Sequence, residues 1–223
     1  MEVKEAIRRR HSVRQYREIP IEEELVVELE KEIAAINREA DLHIQFVRNE
    51  PKAFQSWLAH YGRFRGVSHY FALVGRKRPG LDETCGYYGE RLVLRAQQLG
   101  LHTCWVALTY RKIPEVFTID TDERLTVVIA VGHGQNRGLP RKSKSAEAVS
   151  NVSSQTPSWF REGVEAALLA PTATNQQKFY LTYGADGKVK AKAGLGFYTA
   201  MDLGIVKYHF EIGAEQGHDI WSS

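Results

Sequence analysis

The feature that most constrains this chain is a nearly uninterrupted apolar run at positions 124–132, RLTVVIAVG. A run of this length that is rich in Val and Ile is typical of a central β-strand covered by helices on both faces. Shorter runs at 43–48, 69–75 and 101–108 are also rich in aromatic and β-branched residues, and turn-forming residues flank them. The sequence therefore predicts one sheet with the 124–132 strand inside it.

Apolar residues recur at helical spacing in the segments between and beyond these strands. Gly100 follows one predicted helix as a C-terminal cap residue, and Ser158 is predicted to cap another at its start. Residues 185–188, ADGK, provide the turn of a hairpin. This order of elements predicts an α+β fold. The predicted helices cover 3–10, 22–36, 87–99, 158–168 and 199–216, and the predicted hairpin strands cover 178–183 and 189–193.

The composition is that of a folded domain, with 223 residues of which 43% are hydrophobic and 26% charged. We expect a single domain over 1–223, with two similar halves, 1–150 and 151–223, as the alternative. No apolar run has the length of a membrane helix and the first residues lack the apolar core of a secretion signal, so we expect a cytoplasmic protein. The net charge of +3 is too small to imply a nucleic-acid partner.

The cysteines and histidines do not form a recognisable ligand pattern. Cys85 and Cys104 lack CxxC spacing, and neither His11 nor His133 has a partner at metal-ligand spacing. We therefore expect free thiols and no metal site.

Three polar side chains alternate near the end of the first predicted helix, at Arg10, Ser12 and Arg14. Guanidinium groups bind phosphate in bidentate geometry and a serine hydroxyl adds a short donor, so these side chains could converge on one anion. A solvated basic helix end is the alternative. Lys142 and Lys144 share one side of a later polar stretch if it is extended, and could close on the same phosphate. That stretch could instead be a solvated loop or an electrostatic arm for nucleic acid.

A third polar segment, APTATNQQKF at 170–179, lies between an apolar helix and a strand. Its hydroxyl and amide groups can donate and accept hydrogen bonds with a planar heteroaromatic ligand. An ordinary turn is the alternative.

Together these segments resemble the FMN-dependent nitroreductase family. Residues 10–16, RHSVRQY, are similar to the family's N-terminal pattern of basic residues around a serine, and 171–177, PTATNQQ, is similar to its Pro-Ser-x-x-Asn-x-Gln turn. The stretches 86–105, 128–134 and 141–149 resemble the family's central helix with its following strand, its last core strand and its basic tail. The resemblance implies a nitroreductase-like fold with a central, mixed and mainly antiparallel sheet flanked by helices.

The order of the motifs departs from the usual family pattern. In most members the Pro-Ser turn follows the second helix, whereas here the second predicted helix leads into NRE at 37–39 and the matching turn begins at Pro171. This order resembles the divergent subgroup called putative TM nitroreductase.

The resemblance also implies roles for individual residues. Arg10 and Ser12, helped by Lys142 and Lys144, would hold the FMN phosphate, with His11 in the same motif. Arg14 would reach the N1 and O2 edge of the flavin, where a fixed cation stabilises the reduced ring, and Arg63 would be a second basic residue there. The other residues implied to line the flavin are Val106, Ala107 and Leu108 near N5, and Pro171, Thr172, Ala173, Asn175 and Gln177 on the pyrimidine side.

The implied protein is an FMN-dependent oxidoreductase that uses NADH or NADPH to reduce nitroaromatic or quinone-like acceptors by ping-pong hydride transfer. It would be a homodimer without a membrane or nucleic-acid partner, and flavin N5 rather than a catalytic side chain would carry the chemistry. The substrate pocket is expected near 50–65. The alternatives are a flavin-consuming or dehalogenating member of the superfamily, a flavin carrier without activity, and a basic nucleic-acid-binding protein with salt-sensitive affinity.

Overall fold

The structure is a computed structural model and describes residues 1–55 and 57–222. Its helices and strands follow the predicted order closely. The helices are α1 (Val3–Arg9), α2 (Glu23–Ala40), α3 (Trp57–Tyr61), α4 (Leu81–Gln98), α5 (Ala146–Val149), α6 (Ser158–Ala167) and α7 (Thr199–Ala214). The strands are β1 (Gln45–Val47), β2 (Tyr70–Arg76), β3 (His102–Val106), β4 (Glu123–Gly132), β5 (Phe179–Tyr183) and β6 (Val189–Ala193). Among the described residues, none of the helices combines the length and the apolar character that crossing a membrane requires.

The chain divides into two compact units. The first unit contains Met1 and the segments 9–81 and 92–140. The second unit contains the segments 2–8 and 82–91 and the chain from Arg141 onward. Helices α1 and α4 therefore each contribute to both units.

The first unit contains a four-stranded sheet in the order β1-β2-β4-β3, and each neighbouring pair is antiparallel. Strand β4 lies between β2 and β3, which confirms the interior position predicted from its apolar run. Its residues 127–132 are all buried. Parallel pairing in this unit occurs at isolated bridges, such as the one between Ser12 and Thr103 beside β3.

The sheet is buried on both faces along β2, as a strand without polar alternation requires. Tyr70, Ala72 and Val74 lie on one face, and Phe71 and Leu73 alternate onto the other; all five are at most 1% exposed. The core on the first of these faces also includes Val13, Tyr16, Phe54, Phe64, Val67, Cys104, Val106, Val128 and Ala130.

In the second unit, helices α6 and α7 pack on each other and the hairpin β5–β6 packs on α7. The first part of α4 also packs on α7, and glycines make this approach possible. A Cβ atom at Gly86 would collide with the carbonyl oxygen of Met201, and one at Gly204 with the carbonyl oxygen of Glu83. Backbone contact at this distance requires glycine because any larger residue would push the two helices apart.

Two local predictions are wrong. Helix α4 begins at Leu81 rather than near Tyr87, because Gly80 adopts a positive φ and Asp82 and Glu83 occupy the first turn, where acids favour a helix N-terminus. Ser158 does not cap α6. Pro157 occupies the cap position, and no side chain bonds to the first-turn amides, so Ser158 lies inside the helix.

Candidate functional site

The segment that carries Arg10, Ser12 and Arg14 is attached to the edge of the first-unit sheet. Ser12 forms a parallel bridge with Thr103, and the Val13 amide donates to the Thr103 carbonyl at 3.0 Å. Val13 is apolar and fully buried, which orients the extended segment and leaves Arg14 exposed. Arg10 differs from Arg14 in that it is only 2% exposed.

The three polar side chains of this segment interact electrostatically with the Cys104 thiol. Burial raises the pKa of Cys104, although a hydrogen bond from Ser12 and the positive charges of Arg14 and Arg10 oppose that rise. A thiol with a raised pKa is a poor nucleophile because it stays protonated near neutral pH. Cys104 is 3% exposed and belongs to the core of the first unit.

A cavity of about 380 Å³, here called the edge cavity, lies at the end of β3 in the first unit. It brings together four of the predicted site residues, from three separate parts of the sequence: Arg14, Arg63, Val106 and Ala107. Its remaining lining residues are Tyr61, Gly62, Phe64, Trp105 and Thr109. Its volume falls within the range of ordinary small-molecule pockets.

The edge cavity is positively charged. The guanidinium of Arg14 lies 5.9 Å from the centre of the Phe64 ring, a cation–π distance. Arg63 is exposed and adopts a positive φ of 61°, which is uncommon for a residue with a side chain. Within the described part of the chain, neither arginine forms an ion pair with a carboxylate. The cavity therefore suits a ligand that presents negative charge at one edge.

The other predicted residues of the first unit lie outside the lining of this cavity. Leu108 follows Ala107 directly, but its side chain is 71% exposed. His11 is partly buried, and its Cβ lies against Gly138.

In the second unit, the predicted turn at 171–177 has an unusual backbone. Thr174, Asn175 and Gln177 have φ values of 48°, 57° and 46°. Positive φ is uncommon for residues with side chains, most of all for a β-branched one such as Thr174. Strained backbone of this kind concentrates at functional sites.

Hydrogen bonds hold the 171–177 turn against the basic segment that contains Lys142 and Lys144. The buried Gln177 side chain accepts from the Lys144 amide at 2.8 Å and donates to the Lys142 carbonyl at 3.2 Å. Asn175 also donates to the Lys142 carbonyl, at 2.7 Å. The Lys144 ammonium donates to the Gln177 carbonyl at 2.7 Å. The second unit thus brings these two predicted segments together, and the amides of Asn175 and Gln177 are engaged within the protein.

Asp202 on α7 supports the same turn and was missed by the sequence analysis. Its carboxylate accepts from the Ala173 amide at 2.8 Å and from the Gln176 side chain at 2.7 Å. Burial raises the pKa of Asp202 to about 6, and those two hydrogen bonds limit the rise. The one signal in the sequence is that Asp202 is the only charged residue in the first half of this helix, TAMDLGIV.

A second and larger cavity in the first unit, here called the large cavity, has a volume of about 1200 Å³. Part of its wall comes from the 50–65 stretch that was expected to shape a substrate pocket, through Pro51, Phe54, Gln55, Arg63, Phe64 and Arg65. His69 is another lining residue. The sequence did not point to it, because the run at 69–75 predicts only a strand. Arg63 and Phe64 line both cavities.

One group of possible metal ligands, His43, Asp120 and Glu123, lies at one end of the first-unit sheet, with its ligand atoms within 4.8 Å of one another. Internal hydrogen bonds already engage the Glu123 carboxylate: it accepts from the Asp120 amide at 3.0 Å and lies 2.9 Å from His43 Nδ1. Although burial acts to raise it, these bonds bring the pKa of Glu123 below its usual value. We interpret the group as a hydrogen-bonded pair and assign no metal to it.

Comparison with known families gives one match over nearly the whole chain. A family model described as "Putative TM nitroreductase" matches residues 2–214. None of the curated proteins matches the chain.

Among solved structures, the chain is similar to a putative nitroreductase from Thermotoga maritima, with 21% identity and a TM-score of 0.65 over 96% of this chain and 83% of that one. A putative nitroreductase in complex with FMN from Desulfovibrio desulfuricans has 19% identity and a TM-score of 0.54 over 70% and 99% of the two chains. A putative NADH dehydrogenase/NAD(P)H nitroreductase from Parabacteroides distasonis has 19% identity and a TM-score of 0.53 over 69% and 98%. At these identities, the solved structures confirm the predicted nitroreductase-like fold.

Proposed function

The chain belongs to the family described as "Putative TM nitroreductase" and is an oxidoreductase, and from this premise we propose that FMN is its cofactor. We propose further that NADH or NADPH is the reductant and that nitroaromatic or quinone-like compounds are the acceptors. The FMN complex of the Desulfovibrio desulfuricans protein and the NAD(P)H in the description of the Parabacteroides distasonis protein support this proposal.

The observation that carries the proposal is the edge cavity. Its residues fit the cofactor because they combine two arginines without carboxylate partners among the described residues and a strand end at Val106 and Ala107. A flavin needs a cation near its N1 edge and main-chain groups near N5, and this cavity offers both.

FMN would supply the two-electron redox chemistry when bound. Arg14 would stabilise the negative charge that the reduced ring carries at its N1 edge, and Arg63 would add to that charge. Main-chain groups of Val106 and Ala107 would orient the ring. Arg10 and Ser12 would contact the phosphate, and because Arg10 is buried it would do so at low solvent exposure, where a charged hydrogen bond is stronger.

The roles implied for Lys142, Lys144 and the 171–177 turn stay predictions from the sequence, as does the homodimer. The hydrogen bonds of the second unit favour a positioning role for Asn175 and Gln177, because their side-chain amides bind the backbone of Lys142 and Lys144.

A visible absorption spectrum of the freshly purified protein, before and after anaerobic addition of NADPH and then NADH, tests the proposal. We expect a yellow protein that bleaches with one or both reductants. Flavin that never bleaches would contradict the oxidoreductase activity and favour a carrier or flavin-consuming protein. A colourless protein that also fails to bind added FMN would contradict the cofactor assignment.

The role of Arg14 has its own test. Arg14→Gln removes the charge at the ring edge, so we expect the midpoint potential of the bound flavin to fall while FMN remains bound. Arg17→Gln is the matched control, because Arg17 is an exposed arginine nearby that lines neither cavity. An unchanged potential in Arg14→Gln, or an equal fall in Arg17→Gln, would contradict the role.

A further inference from the structure

The large cavity of the first unit has the size and the walls of a ligand site. Its volume of about 1200 Å³ is somewhat above the roughly 300–1,000 Å³ of ordinary small-molecule pockets, so it can hold a ligand of that class. Phe54, Phe64 and Pro51 give it apolar surfaces suited to a planar ring. Polar groups converge on it from Asn49 and His69.

His69 is a buried donor that none of the described residues satisfies. The residue is 4% exposed, and its Nδ1 accepts a hydrogen bond from the Asn49 amide at 3.3 Å. Burial lowers the pKa of His69, and the charges of Arg48 and His133 lower it further, so the ring is neutral. Because Nδ1 is the acceptor, the proton is on Nε2, and this buried N–H has no hydrogen-bond partner among the described residues. Buried donors are nearly always paired, and because His69 lines the large cavity, this donor can pair with an acceptor atom of a ligand once the ring turns toward the cavity.

The charges around the large cavity favour an anion. Arg63 and Arg65 are exposed lining residues, and neither forms an ion pair within the part of the chain that the structure describes. Among the described residues that line it, Glu18 is the one acidic residue. A guanidinium group recognises a carboxylate through two parallel hydrogen bonds, so the arginines select a ligand with such a group.

The large cavity adjoins the edge cavity, because Arg63 and Phe64 line both. A molecule in the large cavity can therefore contact side chains that also line the edge cavity. This position is that of a reactant rather than of a remote regulator.

We propose that the large cavity binds the oxidant of the reaction and that this oxidant is an aromatic carboxylate, with its ring against Phe54 and Phe64, its carboxylate at Arg65 and an acceptor atom at His69. This inference rests on the proposed function in one respect, because a compound can act as the oxidant only if the protein holds the flavin that reduces it. For a nitro-substituted ring the balanced reaction is the reduction of the nitro group to a nitroso group. NAD(P)H gives up a hydride, which is two electrons and one proton, and is oxidised to NAD(P)⁺; one further proton is taken from solvent, and one nitro oxygen leaves as water.

Calorimetric titration of the purified protein with 4-nitrobenzoate and with the neutral 4-nitrobenzyl alcohol tests the site without any turnover. We expect the carboxylate to bind about tenfold more tightly, which is the effect of one charge-assisted hydrogen bond. Arg65→Gln should remove this preference, and His69→Leu should weaken the binding of both compounds. Arg65 is the informative position because it does not line the edge cavity. Arg17→Gln is the control and should bind as the unmodified protein does.

Equal affinity for the two compounds, a preference that survives Arg65→Gln, or no binding of either compound would overturn the inference. These outcomes are distinct from a failure of the proposed function. A protein that bleaches with NADPH but does not select the carboxylate would refute this inference alone. A protein without flavin that still selects the carboxylate through Arg65 would refute the cofactor assignment and leave the anion site standing.

Discussion

Two buried histidines, one in each unit, show opposite uses of the same side chain. His209 in the second unit is fully buried; its Nδ1 lies 3.1 Å from the Ala166 carbonyl and its Nε2 lies 2.8 Å from the Glu90 carboxylate. His69 in the first unit is nearly as buried, but its Nε2 has no partner among the described residues. Burial alone therefore does not distinguish a structural histidine from a ligand-binding one. The distinguishing property is whether the protein satisfies both ring nitrogens.

The contrast extends to the surroundings of each histidine. Like His209, the Asp202 and Gln177 side chains of the second unit have internal hydrogen-bond partners, although Gln176 Oε1 has none among the described residues. Around the large cavity the first unit leaves Arg63 and Arg65 without carboxylate partners in the described chain. Internal satisfaction stabilises a unique packing, whereas unsatisfied groups on a cavity wall are available to a ligand.

The largest expected effect comes from breaking the His209–Glu90 pair. The Ala166 carbonyl can only accept, so Nδ1 carries a proton, and one further proton is shared between Nε2 and Glu90. His209→Leu removes the ring, so the buried Glu90 carboxyl loses its hydrogen bond to His209. We expect the free energy of unfolding to fall by about 3–5 kcal/mol, measured by urea denaturation.

Glu90→Gln is the control for this change. A glutamine amide can donate to Nε2 of a neutral His209, so the geometry is retained and we expect a loss of about 1 kcal/mol. A His209→Leu protein as stable as the unmodified one would show that the His209–Glu90 pair does not stabilise the fold, and His209 would then not differ from His69 in this respect.

The next effect is a pH dependence that originates at Asp202. Because its folded pKa is about 6 and its ordinary value is 3.8, the native protein binds more protons than the unfolded chain between these values. The free energy of unfolding should therefore fall as pH rises from about 4 to about 6, by up to about 3 kcal/mol from this group. Urea denaturation at several pH values measures the slope.

Asp202→Asn should remove that slope, because the amide does not titrate. The substitution can be accommodated because the buried Oε1 of Gln176 has no partner in the described structure and can accept from the new amide once the Gln176 side chain turns. The same pH slope in both proteins would mean that Asp202 is not the titrating group.

The smallest expected effect on stability is that of His69→Leu, which sharpens the contrast with His209→Leu. Only the bond from the Asn49 amide at 3.3 Å is lost, and an unsatisfied N–H is removed at the same time. We expect the free energy of unfolding to change by no more than about 1 kcal/mol in either direction. A loss comparable to that of His209→Leu would mean that His69 stabilises the fold and is not a ligand-binding residue of the large cavity.

Much of the fold could be predicted from the sequence because helices and strands depend on local periodicity. The apolar run at 124–132 and the hairpin turn at 185–188 each produced the predicted element. The errors were also local. Leu81 and Cys85 have helical spacing, but the polar residues 82–84 between them did not mark the start of α4, and Pro157 occupied the cap position that Ser158 was expected to take.

The candidate site could be predicted only in part. Arg14, Arg63, Val106 and Ala107 were identified through short motifs, and they line one cavity. His69, Arg65 and Asp202 were missed because no motif includes them. Their importance comes from which atoms face them, and residue order does not contain that information.

The elements, their order and the family could be inferred without the structure, since they follow from side-chain periodicity and from short motifs that are contiguous along the chain. The tertiary structure alone decided which polar groups are satisfied. The sequence around His209 does not distinguish it from His69. Packing places the Glu90 carboxylate beside His209 and leaves the buried Nε2–H of His69 without a partner among the described residues. Hydrogen bonding depends on distances of about 3 Å between residues far apart in sequence, and such distances exist only in the folded chain.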